Sequence, residues 1–182
     1  MKTIFISILA LLLSTNVAYS QKYMTKNGHI RFFSSTPVED IEAHNRQVNA
    51  ALDLQTGDFV FRVLIKSFEF EKALMQEHFN ENYLESHNFP NASFQGKVTN
   101  LADLDFSKDG TYDANVEGKL TIHGVTKDIA EKGTFTVKGG VIQGFSKFNV
   151  KVADYEIKIP GAVVNNIAES IEVTVDVKLE AI

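Results

Sequence analysis

Few residues in this chain are of types that could do chemistry, and their spacing is unhelpful for most of it. The five histidines are His29, His44, His78, His87 and His123. None stands at H-x-H or H-E-x-x-H spacing, so no metal site is expected from them. Glu77, Glu81 and Glu85 recur every fourth residue and would share one face of a helix, where a solvated face is the simpler reading than a general-acid pair. There is no cysteine, which excludes disulfides, zinc thiolates, thiol catalysis and lipid attachment at a cysteine. No G-x-S-x-G elbow, phosphate loop or dinucleotide fingerprint occurs. Asn91-Ala92-Ser93 matches a glycosylation acceptor, a tripeptide that commonly arises by chance. We therefore expect no catalytic residues, no metal and no cofactor. The barrel-enzyme alternative would need His123 or His78 as general base, and His123 shares strand parity with polar Glu117, Lys119 and Thr121.

What the chain has in quantity is apolar rings. Phenylalanine occurs 14 times and tryptophan not at all. Those rings sit in alternating patterns, so the chemistry on offer is burial of an apolar partner or of one another.

The elements that must position them are mostly strands. Residues 58–68 alternate Phe59, Phe61, Val63 and Ile65 against Val60, Arg62, Leu64 and Lys66, the period of a strand. Apolar parity switches at Ser67, the mark of a β-bulge. Leu74, Met75, Phe79 and Tyr83 then recur at helical spacing until Pro90, and Phe94 opens a second β pattern. A strand leaves, a short apolar-faced helical piece crosses something, and a strand returns. Elsewhere the chain reads as strand: residues 29–35, 47–54, 94–101, 111–123, 129–137, 141–152 and 170–181. Residues 23–28 read as loose, residues 38–43 as ambiguous, and residues 154–168 as irregular. Parity shifts again near Ser146-Lys147. Thr56-Gly57-Asp58, Asp109-Gly110 and Gly139-Gly140 are turn signals, and Gly124 interrupts a β run. About eight strands with short connections favour a closed up-and-down antiparallel barrel. An eight-stranded barrel can be filled by its own side chains or hold one slender ligand, and the helical insertion favours a covered mouth.

Residues 1–20 read as a signal peptide: Lys2, an apolar run from residue 4 to 13, then Ala18 and Ser20 at the small-residue positions of a cleavage site. A cut after Ser20 leaves residues 21–182 as one domain, exported to a periplasm or secreted. That mature chain carries 17 basic and 23 acidic side chains. Such a balance suits neither nucleic acid nor an anionic membrane surface.

Three stretches resemble a known family: residues 67–94 (SFEFEKALMQEHFNENYLES, then NFPNASF), 118–127 (GKLTIHGVTK) and 148–160 (FNVKVADYEIKIP). Together they look like the YceI-like exported bacterial proteins, over essentially the whole mature chain. The resemblance implies an extended eight-stranded lipocalin-like β-barrel, mainly β, with a short helical insertion between two long strands. It implies a tunnel holding a polyisoprenoid, such as the tail of a quinone or a related lipid, and homodimers are common in such a family. It brings no catalytic residues. On parity, the tunnel lining is expected to be Phe59, Phe61, Val63, Ile65, Phe94, Val98, Leu120, Ile122, Phe135, Val137, Phe148 and Val150, with Met75 and Phe79 closing one end. Ile171, Val173, Val175 and Val177 should face inward as well. Two other readings remain open: an enzyme for a small apolar substrate, or a stress-related interaction protein whose barrel is solid.

Overall fold

The computed structural model describes residues 22–182. The expected signal peptide over residues 1–20, with its expected cut after Ser20, lies outside the described residues. Nine strands follow in order: β1 (Lys22–Ser35), β2 (Asp40–Asp53), β3 (Asp58–Leu64), β4 (Glu69–Phe70), β5 (Asn91–Val98), β6 (Gly110–Ile122), β7 (Val125–Lys138), β8 (Val141–Lys151) and β9 (Ser170–Ala181). The short helix α1 (Ala73–His78) falls between β4 and β5. Eight strands pair antiparallel in the order β1-β9-β8-β7-β6-β5-β3-β2, and β2 pairs back onto β1. This closes an eight-stranded antiparallel barrel, in which two-faced strands bury their apolar side without leaving a free edge. The two-residue β4 adds to β2 through Ala43↔Phe70 and His44↔Glu69.

Several local expectations are corrected. Residues 23–28 are not loose: they are the first half of β1, whose register against β2 shifts on either side of Gly28. A bulge breaks the alternation there, so the pattern of a strand is lost although the strand is not. Residues 40–43 belong to β2. The parity switch after Ile65 is a single 3₁₀ turn, Ile65–Ser67, rather than a bulge. Both devices insert an odd residue and leave the same trace in sequence. β8 has no parity shift at all: it pairs with β9 without a break from Ile142↔Leu179 to Lys151↔Ser170. Phe145 lies on the outer face, 44 % exposed, while Ser146 turns inward. The helical segment ends at Tyr83, short of Pro90. Pro90 stands just before β5, and its carbonyl accepts a hydrogen bond from Ile65 N–H (2.9 Å).

The β6–β7 connection explains why Gly124 appeared as an interruption. Ile122 pairs directly with Val125, so His123 and Gly124 form a two-residue hairpin turn, with φ of 51° and 75°. Both central positions need positive φ, which glycine adopts freely. The fifth and sixth strands approach unusually closely at the facing pair Gly96↔Gly118. A Cβ at Gly118 would stand 2.4 Å from Gln95 O, and the Phe94 ring lies over Gly96.

Two apolar clusters divide the barrel lengthwise. One fills the end that carries the β7–β8 turn, with Leu52, Val98, Val137, Ile142 and Leu179 fully enclosed. Leu101, Leu104 and Phe106 pack over it. The other, at the opposite end, gathers Ile30, Val63, Ile65, Phe68, Phe79 and Leu84 beneath the helical segment.

Candidate functional site

Between the two clusters the barrel is hollow, with a cavity of about 510 Å³. That lies in the range of small-molecule sites. A barrel packed solid with phenylalanine, one of the readings left open above, is thereby excluded for this chain. Inward-facing side chains of β3, β5, β6, β7, β8 and β9 line the hollow, and toward its packed end rings meet across the barrel, Phe59 and Phe135 with centroids 5.6 Å apart.

Of the expected lining, Phe59, Phe61, Val63, Ile65, Phe94, Leu120, Ile122, Phe135, Phe148 and Val150 border the cavity. So do Ile171, Val173, Val175 and Val177 of β9. Val98 and Val137 do not. They have the right parity, but they lie deeper and are consumed by the packed end, 4 % and 3 % exposed. Parity selects a face of the sheet and says nothing of depth along it. Met75 and Phe79 border the opposite end of the cavity.

That end is the mouth, and the helical insertion covers it. Leu84 N–H bonds to Phe79 O (2.9 Å), five residues back, so α1 runs on into a π-type turn over Phe79–Tyr83. The wider turn points the Phe79 ring into the barrel, among Phe32, Phe68 and Phe70 at centroid distances of 5.4, 5.5 and 5.0 Å. Phe32, Phe68 and Phe70 were missing from the expected lining. For Phe32 the signal was present, since it alternates with buried Ile30 and Ser34 in β1.

A polar clasp holds the cover. Glu39, in the β1–β2 turn, accepts from Lys72 Nζ (2.8 Å) just before α1 and from Asn166 Nδ2 (3.2 Å) in the loop after β8. The hydrogen bonds from Lys72 and then Asn166 hold its carboxyl below the usual carboxylate range. Ser34 Oγ accepts from Ala168 N–H (2.9 Å), fixing the same loop to β1. Three segments thus meet over the mouth through one carboxylate.

His78 lies at the mouth. His123 sits in the β6–β7 turn, outside the cavity lining. Its Nε2 stands 2.8 Å from Glu85 Oε2, its Nδ1 3.2 Å from Tyr155 O, and its ring packs on Phe89 at 4.5 Å. Both partners are acceptors, so the ring satisfies both only when both nitrogens carry hydrogen. These contacts tie the β6–β7 turn to the segments on either side, a structural duty. His29 and His44 stack on the outer wall, ring centroids 5.2 Å apart. Among the described residues no three His, Cys, Asp or Glu side chains are placed to hold a metal ion.

A family model described as a YceI-like domain matches residues 19–179. No curated protein matches the chain. Among solved structures, it is similar to a polyisoprenoid binding domain from Saccharophagus degradans implicated in plant cell wall breakdown, at TM-score 0.78 and 15 % identity, covering 90 % of this chain and 99 % of that one. Burkholderia cenocepacia BcnA superposes at TM-score 0.65 and 12 % identity, over 84 % of this chain and 95 % of that one. A Campylobacter jejuni YCEI protein does so at 0.57 and 16 %, over 75 % and 82 %. At such identities these likenesses speak for the fold.

Proposed function

The chain belongs to the YceI-like domain family, and from that premise we propose that it is an exported carrier which shelters a polyisoprenoid or related prenyl lipid inside the barrel. The observation that carries this reading is the cavity itself, apolar along its length and roofed by a helical cover. The similar domain from Saccharophagus degradans is described as polyisoprenoid binding, which supports the same ligand class. Each buried CH₂ of a ligand contributes about 0.8 kcal/mol, so several isoprene units reach roughly 10 kcal/mol or more in gross transfer energy. Ordering the tail takes back a large part of that. A ligand held this way needs a long apolar wall more than a polar anchor, and binding rather than catalysis is the task such a wall suits.

Export belongs to the same proposal, on the strength of the signal-like residues 1–20. A prenyl lipid is costly to expose to water, so moving one across an aqueous compartment calls for a sheltering protein. No helix among the described residues is long and apolar enough to cross a membrane. The homodimer that the resemblance implies is part of the proposal too, and light scattering tests it. For the function, the protein is purified from the cells that make it, extracted with organic solvent and analysed by mass spectrometry. A prenyl-tailed lipid near one per chain is expected; extracts indistinguishable from those of an unrelated exported protein would refute the carrier.

A further inference from the structure

The barrel wall has a window. β7 and β8 are zipped from Lys138↔Val141 to Gly133↔Ser146, and there the ladder stops, although both strands continue to Val125 and Lys151. The Ser146 hydroxyl donates to Lys132 O (2.7 Å), so a side chain ends the zip and satisfies the first free carbonyl. Continued register would set Glu131 against Phe148 and Ile129 against Val150; neither pair forms. At its far end the window is bounded by Tyr155, whose carbonyl holds His123. A second cavity of about 250 Å³ occupies the gap. Leu120, Ile129, Glu131, Phe148 and Val150 border it and the main tunnel alike, so the two spaces adjoin.

Glu131 is the unusual member. It shares parity with Ile129 and Phe135 and faces inward opposite Val116. It has no hydrogen-bond or ion-pair partner among the described residues, and burial alone pushes its carboxyl above the usual range. Glu131 is half-buried, and an acid held without a partner beside an apolar tunnel loses part of its hydration with no contact in the fold to offset it. Its surroundings are not those of an anion site. The side chamber also holds Lys127, Asp128, Lys151 and Asp154, so acids outnumber bases. Asp128 is engaged outward by Lys119 (2.8 Å).

We infer that the side chamber is the head-group subsite of the tunnel's ligand, and that Glu131 hydrogen-bonds an uncharged, hydroxyl-bearing head (a prenol or a reduced quinone) while turning away phosphate and diphosphate esters. The inference rests on the tunnel's taking a prenyl tail. A hydroxyl supplies the donor that the lone carboxylate lacks. A phosphate would bring like charge against it in a partly desolvated space, where such juxtaposition is costly.

The test uses the full mature protein, delipidated, with geranylgeraniol and geranylgeranyl diphosphate as probes, which share one tail. Wild type should prefer the alcohol by roughly tenfold or more. Glu131→Gln keeps the shape and removes the charge. It should tighten diphosphate binding by about tenfold and change alcohol binding by less than about threefold. Glu117→Gln makes the same charge change on the exposed outer face of β6, away from both cavities, and should leave the ratio as in wild type. If both probes bind and Glu131→Gln leaves their ratio unchanged, or Glu117→Gln moves it equally, the head-group assignment falls and the carrier stands. If neither probe binds wild type, the carrier falls and takes the assignment with it.

Discussion

Replacing Val175 with tryptophan probes the hollow from its midpoint. Val175 is inward on β9, borders the cavity, and packs against both apolar clusters, so it stands where the two halves of the barrel meet. An indole there adds about seven heavy atoms to the tunnel, the bulk of roughly one isoprene unit. At about 0.8 kcal/mol per CH₂, a tail that fills the cavity loses about 4 kcal/mol of gross burial. The expelled unit no longer has to be ordered, which returns about 1–2 kcal/mol. The net loss is about 2–3 kcal/mol, or roughly 30- to 150-fold in Kd. Prenols too short to reach Val175 should be unaffected. Native mass spectrometry over a series of prenols of increasing length therefore predicts a step: unchanged affinity for short tails, sharply weaker affinity for long ones. Ligand-free stability adds a second reading. In a hollow the indole enters vacant space, and Tm should move by no more than about 3 °C. In a filled core, overpacking would cost about 1–3 kcal/mol, which lowers Tm by roughly 3–10 °C in a domain of this size. Equal weakening at every tail length, or a large fall in ligand-free Tm, would refute the tunnel.

Three further outcomes are expected. Gly118→Ala places a methyl 2.4 Å from Gln95 O, a backbone atom that cannot step aside. The loss should be about 3 kcal/mol, read as a Tm lower by roughly 6–12 °C with or without ligand. Glu39→Gln unfastens the clasp on Lys72 and Asn166, and stopped-flow displacement should show faster ligand release and a smaller change in equilibrium stability. His29 titrates below its ordinary value, chiefly through burial and then through Arg46 and His44. A histidine held neutral in the fold costs nothing above pH 6.5 and penalises the fold as pH drops through that value toward its native pKa. Stability measured by denaturant should decline over that interval, and His29→Gln should flatten the decline.

Alternation carried most of the barrel into view. The runs from Phe59 to Ile65 and from Ile171 to Leu179 place their side chains on one face by geometry alone, and the helical spacing of Leu74, Met75, Phe79 and Tyr83 marked the cover. What stayed hidden was whatever parity does not encode. Val98 and Val137 have the parity of the wall but sit at the depth of the plug. Ile65–Ser67 and the irregularity around Gly28 each displace one residue, and a 3₁₀ turn cannot be told from a bulge by that displacement. Phe145 misled because an outward aromatic on a mostly apolar strand looks like a change of face. Glu131 was legible by parity with Ile129 and Phe135, but its significance needed the interrupted ladder at Gly133 and Ser146, which only pairing reveals.

A crystal structure of the delipidated protein soaked with geranylgeraniol tests the central claim most directly. Continuous density should run from beneath Phe79, past Val175, and stop above Phe135, where the packed end begins. A cavity closed by rearranged phenylalanine rings, or a probe found only on the outer wall, would contradict it.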